Sequence, residues 1–293
     1  GSQTPRQCSG RREAYTPPYG DLVELNACRV ILDAVGREAL EEIVRDFLEL
    51  LDTSAAVYEQ NGDYACGIFA SGWCRFLDAA LRELCHTPDN REALESGQWH
   101  CHESCWNGAS MLAMERGEAV DVPCAGGIRL YAVPIRASGR IVGSINFGYG
   151  DPPRDAGTLE RIARRYNVDV RELRRHAQAY ESRPPYIIEL AKHRLAASAR
   201  LIGEMVERHW AQERVKRLNR VLRSIRDVNQ LIVRETEAQS IIDESCRILA
   251  ENPGLEAAVV LLEDSAGEHL LSAQSGLEAP LFDRFVRQFR GGT

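Results

Sequence analysis

The sequence predicts an α+β protein in which an antiparallel sheet is flanked by helices and followed by one long helix. Two strand–turn–strand patterns and one stretch without helix breakers carry this prediction. Residues 54–69 contain two short strands around Asn61-Gly62, a dipeptide that favours tight hairpin turns. Residues 126–150 hold two runs rich in β-branched and aromatic residues, with a turn between them. Residues 185–235 contain almost no helix breaker, so we expect the long helix there.

Helical spacing of apolar residues predicts the elements around these strands. One helical region runs from Leu22 to Leu51, and Gly36 offers a point where it divides in two. Two prolines at 152–153 end the second strand of the later hairpin, because proline cannot donate to a central ladder. Further helices are predicted over 73–85 and 106–115 and from about 156 and 169.

Composition divides the chain into four regions. Residues 1–20 are polar and rich in Pro and Gly, which predicts a disordered tail, and Gly1-Ser2 is typical of a protease-cleavage remnant. Residues 21–205 are predicted to form the first domain and residues 206–235 a connecting helix. Residues 236–293 supply only a helix, two strands and part of another helix, so we expect a truncated second α+β domain.

Part of the long helix has the pattern of a coiled coil. One set of residues fits the a and d positions of a heptad repeat: Val215, Leu218, Leu222, Ile225, Asn229 and Ile232. An upstream set fits an offset register, as a stutter would produce: Leu195, Ser198, Ile202, Met205 and His209. A narrow seam with one polar position favours a parallel dimer, and a long helix packed on its own domain is the alternative.

Composition also limits the class of function. The chain has 36 Lys+Arg and 43 Asp+Glu, a formal net charge of −7, which disfavours a nucleic-acid partner. No apolar run reaches the ~18 residues of a membrane span, and no signal-peptide pattern opens the sequence. The nine cysteines lack the spacing of a small secreted scaffold, which favours free thiols in the cytoplasm. Nucleophile-elbow, Walker, dinucleotide-binding and H-E-x-x-H motifs are absent, so we expect no catalytic residues and no enzyme.

The stretch WHCHESCW, residues 99–106, concentrates potential ligands. Cys101 and Cys105 are spaced i, i+4, so a helix would place both thiols on one face. Cys74 and Cys124 could complete a set of four thiolates, which suits zinc or an iron–sulfur cluster. Redox-active thiols and cysteines that simply fill the core are open alternatives. His100 and His102 fall on other helix faces than the cysteines. We expect them at the surface or in contact with the ligands rather than as ligands themselves.

Four motifs taken together resemble one family. They are GWCRFL, WHCHESC, PCAGGIRLYAVPI and GSINFGYGDPP. In this order they resemble the PocR-type sensory domain, a ligand-binding module of bacterial transcription regulators, histidine kinases and cyclic-dinucleotide enzymes. The resemblance covers roughly Leu22 to Met205 and implies a PAS-like fold around a small pocket for a hydrocarbon derivative such as a short diol. The region from about Thr236 resembles the start of a GAF domain, which implies that residues 206–235 form a signalling helix.

The cysteines follow the family pattern only in part. Cys74, Cys101 and Cys124 occupy three of its four cysteine positions. Gln98 stands at the remaining position, and Cys105 is additional. The resemblance therefore implies either that Cys105 replaces the missing ligand from one helical turn away, or that no metal is bound here.

A pocket for a small, mostly apolar ligand needs a concave surface with a few polar groups. Asn146 is the strongest polar candidate, because an amide has low strand propensity and needs a hydrogen-bond partner if it is buried. A solvated sheet face is the alternative for this residue. The candidate ligand-binding residues are Phe69, Trp73, Trp99, Tyr131, Asn146 and Tyr149.

These observations predict a sensory module that binds a small organic effector and signals through a dimeric helix. A metal, iron–sulfur or thiol-redox sensor is the alternative. The expected partners are the effector and a second copy of the chain, with neither nucleic acid nor membrane.

Overall fold

The computed structural model describes residues 17–69, 71–251, 256–263 and 269–290. The chain divides into two compact units, residues 1–209 and 210–293. Most of the predicted tail, residues 1–16 with Cys8, lies outside the described residues.

Among the described residues of the first unit, a 3₁₀ turn, Leu22–Leu25, comes first and is followed by groups of helices and strands. Its helices are α1 Val30–Val35, α2 Arg37–Leu51, α3 Gly72–Glu83, α4 Asn90–Glu95, α5 His100–Glu103, α6 Leu112–Arg116, α7 Ala156–Tyr166 and α8 Val170–Ala179. Its strands are β1 Ser54–Glu59, β2 Tyr64–Phe69, β3 Val120–Pro123, β4 Arg129–Ala137 and β5 Arg140–Tyr149. A π-helical segment, Ser104–Met111, joins α5 to α6. The long helix α9, Pro185–Arg234, starts in this unit and ends in the second.

The five strands form one antiparallel sheet in the order β2-β1-β5-β4-β3. The central strand β5 is buried over most of its length. Its register places Asn146 opposite Ala56 on one side and Ala132 on the other. The predicted α+β class, a PAS-like antiparallel sheet flanked by helices with a long C-terminal helix, is confirmed.

The two faces of this sheet carry different side chains, because successive strand residues point to opposite faces. The cysteine face, as we name it, includes Ser54, Ala56, Leu130, Ala132, Ser144 and Asn146, which are small or polar apart from Leu130. The α9 face holds Ala55, Val57, Tyr131, Ile145, Phe147 and Tyr149. Helix α2 packs on the α9 face, where the rings of Phe47 and Phe147 stack 5.6 Å apart.

Side-chain caps fix where several helices begin. The Ser71 hydroxyl accepts a hydrogen bond from the Cys74 backbone N–H at 3.1 Å, which starts α3 and places Cys74 in its first turn. Asp155 caps α7 in the same way through Thr158 at 2.8 Å.

Helix α9 differs in exposure between its two parts. In the first unit its apolar residues are buried, with Leu195 and Ile202 both at 0% exposure. These two residues therefore belong to the core of the unit, and their interpretation as part of a coiled-coil seam is wrong. In the second unit the a and d residues are exposed, among them Leu222 at 61% and Ile225 at 49%.

The second unit contains α10 Ala238–Ala250, β6 Ala258–Glu263, β7 His269–Ser275 and α11 Ala279–Arg290. Strands β6 and β7 pair antiparallel. Ile242 and Cys246 of α10 pack against Ala273 to form a small core. The resemblance of this region to a GAF domain stays a prediction.

Three elements differ from the sequence prediction. Strand β3 was not predicted, since its four residues, VDVP, are too few to establish an alternating pattern. The short helix α4 was also missed. The helix predicted over 106–115 starts earlier, at His100, and contains the π-helical segment.

Candidate functional site

Asn146 connects the central strand to the π-helical segment. Its side chain is 1% exposed, and Nδ2 donates to the Cys105 carbonyl oxygen at 3.0 Å and to Ser110 Oγ at 2.9 Å. The expectation that a buried Asn146 has hydrogen-bond partners is confirmed, and the solvated alternative is wrong. Isolated π-helical turns occur often at functional sites, which makes this contact a candidate functional site.

Three of the four predicted cysteines contact residues on the cysteine face of the sheet. Ser54 Oγ lies 3.4 Å from Cys74 Sγ, to which it donates. Cys105 and Cys124 pack against a core cluster that includes Leu130 and Ala132 of β4. Cys101 lies in α5, one helical turn before Cys105. A cluster formed by all four cysteines stays a prediction.

Burial controls the chemistry of these thiols. Desolvation raises the pKa of Cys74, raises that of Cys124 to about 11, and places the pKa of Cys101 and Cys105 well above the ordinary value. At neutral pH all four are therefore protonated, the form in which sulfur is a poor nucleophile. Each of the four residues nevertheless keeps some accessible surface, whereas Cys66 is buried.

A buried carboxyl group lies in the same layer. Asp78 is 1% exposed and accepts hydrogen bonds from Trp99 Nε1 at 2.9 Å and from the Tyr19 hydroxyl. Burial raises its pKa to about 6, which the two hydrogen bonds partly oppose. Near neutral pH this carboxyl group lies close to its titration midpoint.

Two tyrosines and a histidine form a second buried network. The Tyr58 hydroxyl donates to the Tyr64 hydroxyl at 3.0 Å, and the latter is hydrogen-bonded to His102 Nδ1 at 3.0 Å. Burial lowers the pKa of His102 to about 4, so its imidazole is neutral at physiological pH. His102 is therefore a buried residue of the layer rather than a surface residue.

Two buried hydroxyl groups have no hydrogen-bond partner among the described residues. They are Ser144 Oγ and Thr53 Oγ1, on residues exposed by 0% and 1%. Ser144 lies two residues from Asn146 on the same face of β5. A Cβ built on Gly148, the next residue of that face, would lie 3.0 Å from Thr53 Oγ1. Unpaired buried hydroxyls are costly, about 1–3 kcal/mol each, which favours a partner outside the protein chain.

The structure separates the six candidate ligand-binding residues into two groups. Trp73 and Trp99 lie in the helical layer on the cysteine face, and Trp73 Nε1 donates to the Gly126 carbonyl at 3.1 Å. Tyr131 and Tyr149 lie on the α9 face, opposite to Asn146. Phe69 belongs to β2, and its side chain is outside the described part.

A metal ion needs several donor side chains that converge on one point. Within the described ranges, no three His, Cys, Asp or Glu side chains are arranged so that they could hold a metal ion. The assignment of Cys74, Cys101, Cys105 and Cys124 as metal ligands stays a prediction.

The first unit matches a known protein family in sequence. The family described as "Sensory domain found in PocR" matches residues 33–207, more than half of the chain. The chain belongs to the PocR sensory-domain family. No curated protein is significantly similar to this PocR domain in sequence. Among the helices that the structure describes, none combines the length and apolar character needed to cross a bilayer.

Sequence reasoning missed several residues of this buried layer of the PocR domain, and some of them left a signal in the sequence. Asp78 is four residues after Cys74 in α3, a spacing that places both on one helix face. Ser144 precedes Asn146 by two residues and shares its face by strand alternation. Thr53 left no signal, because it lies in the connection between α2 and β1.

Proposed function

We propose that this PocR domain binds a small neutral organic effector on the cysteine face of its sheet. Membership of a sensory family supports a sensor role. The site rests mainly on Asn146, whose amide joins β5 to the π-helical segment beside the unpaired hydroxyl of Ser144. A ligand that hydrogen-bonds to these groups would change the contact between strand and helix.

The chemistry of the layer indicates the type of ligand. Its hydroxyl, amide and thiol groups are neutral, and His102 is neutral as well. Asp78 is the buried group that ionises near neutral pH, and both of its carboxylate oxygens already accept hydrogen bonds. A small neutral molecule with hydroxyl groups fits this environment better than an ion does. Short diols, which the family resemblance implies, have these properties.

Binding is tested by calorimetry on the full chain with 1,2-propanediol and 1,3-propanediol. We expect saturable heat with the wild type and a loss of affinity of at least tenfold in Asn146→Ala and Ser144→Ala. Asn107→Ala is the matched control, since this asparagine lies in the π-helical segment that Asn146 contacts but is itself exposed. Equal affinity in all four proteins would place the ligand elsewhere, and no heat with the folded wild type would refute diol binding.

A metal or thiol-redox sensor is the competing function. The packing of Cys105 and Cys124 against the same core cluster favours it. Metal content and the absorption spectrum of the purified protein distinguish the two. Stoichiometric zinc without colour indicates a structural site, whereas broad absorption near ~400 nm indicates an iron–sulfur cluster.

The proposed sensor passes its signal on through a dimer. The dimer forms through the part of α9 in the second unit, residues 210–234. The a and d residues Leu218, Leu222 and Ile225 are each about half exposed or more, a costly state for a monomer. A second copy of the helix in parallel register would cover this seam, with Asn229 fixing the register. Cysteines introduced at Leu222 and Ile225 should form disulfide cross-links between chains, and no cross-link in any ligand state would refute the dimer.

A further inference from the structure

Lys192 of α9 lies in a clamp built by the α9 face of the sheet. Its side chain is only 18% exposed, and Nζ lies 3.0 Å from Asp121 Oδ2. The same ammonium group lies 4.7 Å from the ring centre of Tyr149 and 5.4 Å from that of Tyr131. A cation held between two aromatic rings and a carboxylate is stabilised more strongly than an exposed ion pair.

The clamp joins three strands to the helix. Asp121 lies in β3, Tyr131 in β4 and Tyr149 in β5, and the Tyr149 hydroxyl donates to Asp121. Arg129 of β4 holds the same carboxylate at 2.6 Å. A relative movement of these strands therefore changes the environment of Lys192.

The turn of the β4–β5 hairpin holds α9 at a second point. A Cβ on Gly203 of α9 would lie 2.0 Å from the carbonyl oxygen of Arg136 in β4, which is too close for any side chain. Helix and strand therefore approach each other at a distance that only glycine permits. Glu207 accepts a hydrogen bond from the Ser138 backbone N–H in that turn.

The two attachment points have matching spacings on helix and strand. Lys192 and Gly203 are eleven residues apart in a helix, about 17 Å. Tyr131 and Arg136 are five residues apart in a strand, also about 17 Å. Helix α9 therefore follows β4 between the two points.

We propose that Lys192 is the positioning residue that transmits the state of the effector site to α9. Asn146 and the two tyrosines lie on opposite faces of the same strands, so a ligand on one face shifts the residues that hold Lys192 on the other. This inference rests on the proposed function for the location of the site. It also gives Tyr131 and Tyr149 a role in transmission rather than in the pocket.

Hydrogen–deuterium exchange on the full chain tests the coupling without any ligand. Asn146→Ala perturbs the site directly and should speed exchange about threefold or more in peptides covering residues 186–207. In the Lys192→Met background the same substitution should still speed exchange in β5 but should no longer change α9. Lys192→Arg keeps the charge and should restore at least part of the response.

Lys216→Met is the matched control, since Lys216 lies in α9 in an exposed pair with Glu213. The response to Asn146→Ala should persist in that background, and peptides covering 238–250 serve as an internal reference. An equal response of α9 with and without Lys192, or no response even in the wild-type background, would overturn the inference. The exchange experiment uses no ligand, so its result is independent of the diol calorimetry. The hypothesis of diol binding and the hypothesis of transmission through Lys192 can therefore be refuted separately.

Discussion

Replacement of the buried Asp78 by asparagine should change how stability depends on pH. The folded-state pKa of Asp78 is raised from 3.8 to about 6 by burial. Its contribution to stability is therefore complete below pH 3.8 and is lost as the pH rises through 6, because ionisation is opposed only in the folded state. Asp78→Asn cannot ionise, so the variant should lack this loss.

The size of the effect follows from the two pKa values. A difference of about two pH units corresponds to about 3 kcal/mol over the full titration. Between pH 4.5 and 7.5 the wild type should lose about 2 kcal/mol relative to the variant. His102 acts in the opposite direction, since its folded-state pKa is lowered to about 4 and its stabilising contribution is lost as the pH falls below its ordinary 6.5. This contribution is common to both proteins and cancels in their difference.

Urea unfolding followed by tryptophan fluorescence measures the effect, because Trp73, Trp99 and Trp106 all lie in the first unit. Asp155→Asn is the control, because the pH dependence of its effect has the opposite sign. Hydrogen bonds from Thr158 lower the pKa of the Asp155 carboxyl, so its contribution to the free energy of unfolding is lost as the pH falls. A free-energy difference between wild type and Asp78→Asn that is constant from pH 4.5 to 7.5 would contradict the reasoning.

Three further predictions concern packing and assembly. Gly203→Ala places a methyl group against the Arg136 carbonyl and should lower the free energy of unfolding of the first unit by about 1–3 kcal/mol in urea titrations. Asn146→Ala should cost about 1–3 kcal/mol, and combining it with Ser110→Ala should cost less than the sum, because the two side chains are hydrogen-bond partners. Ile225→Glu puts a charge in the proposed seam and should shift sedimentation velocity from dimer to monomer.

The main features of the fold were predictable because they depend on local patterns. Asn61-Gly62 marked the first hairpin, and the two prolines at 152–153 followed the end of β5, as expected. These signals need only the neighbouring sequence. The sequence left two alternatives for Asn146, burial or a solvated sheet face, and the structure shows that it is buried.

The composition of the site was less predictable because it depends on pairing and on face. Strand alternation alone places Asn146 and Tyr149 on opposite faces, a signal that was available and not used. The position of Tyr131 requires the register of β4 against β5, which the sequence does not contain. Aspartate in a helix normally indicates solvent, so the burial of Asp78 became visible only once Tyr19 and Trp99 were seen to bond it.

The π-helical segment sets the rotational phase between the two ends of its helix. Ser104–Met111 lies between α5, which carries Cys101, and α6, whose Ala113 packs on the sheet. Deleting one residue there, such as Gly108, would favour a regular α-helix and turn α5 by about 100° relative to α6. The Cys101 thiol would then leave the cysteine face although no residue of the site had been replaced. The length of this segment therefore determines which α5 side chains face the candidate site.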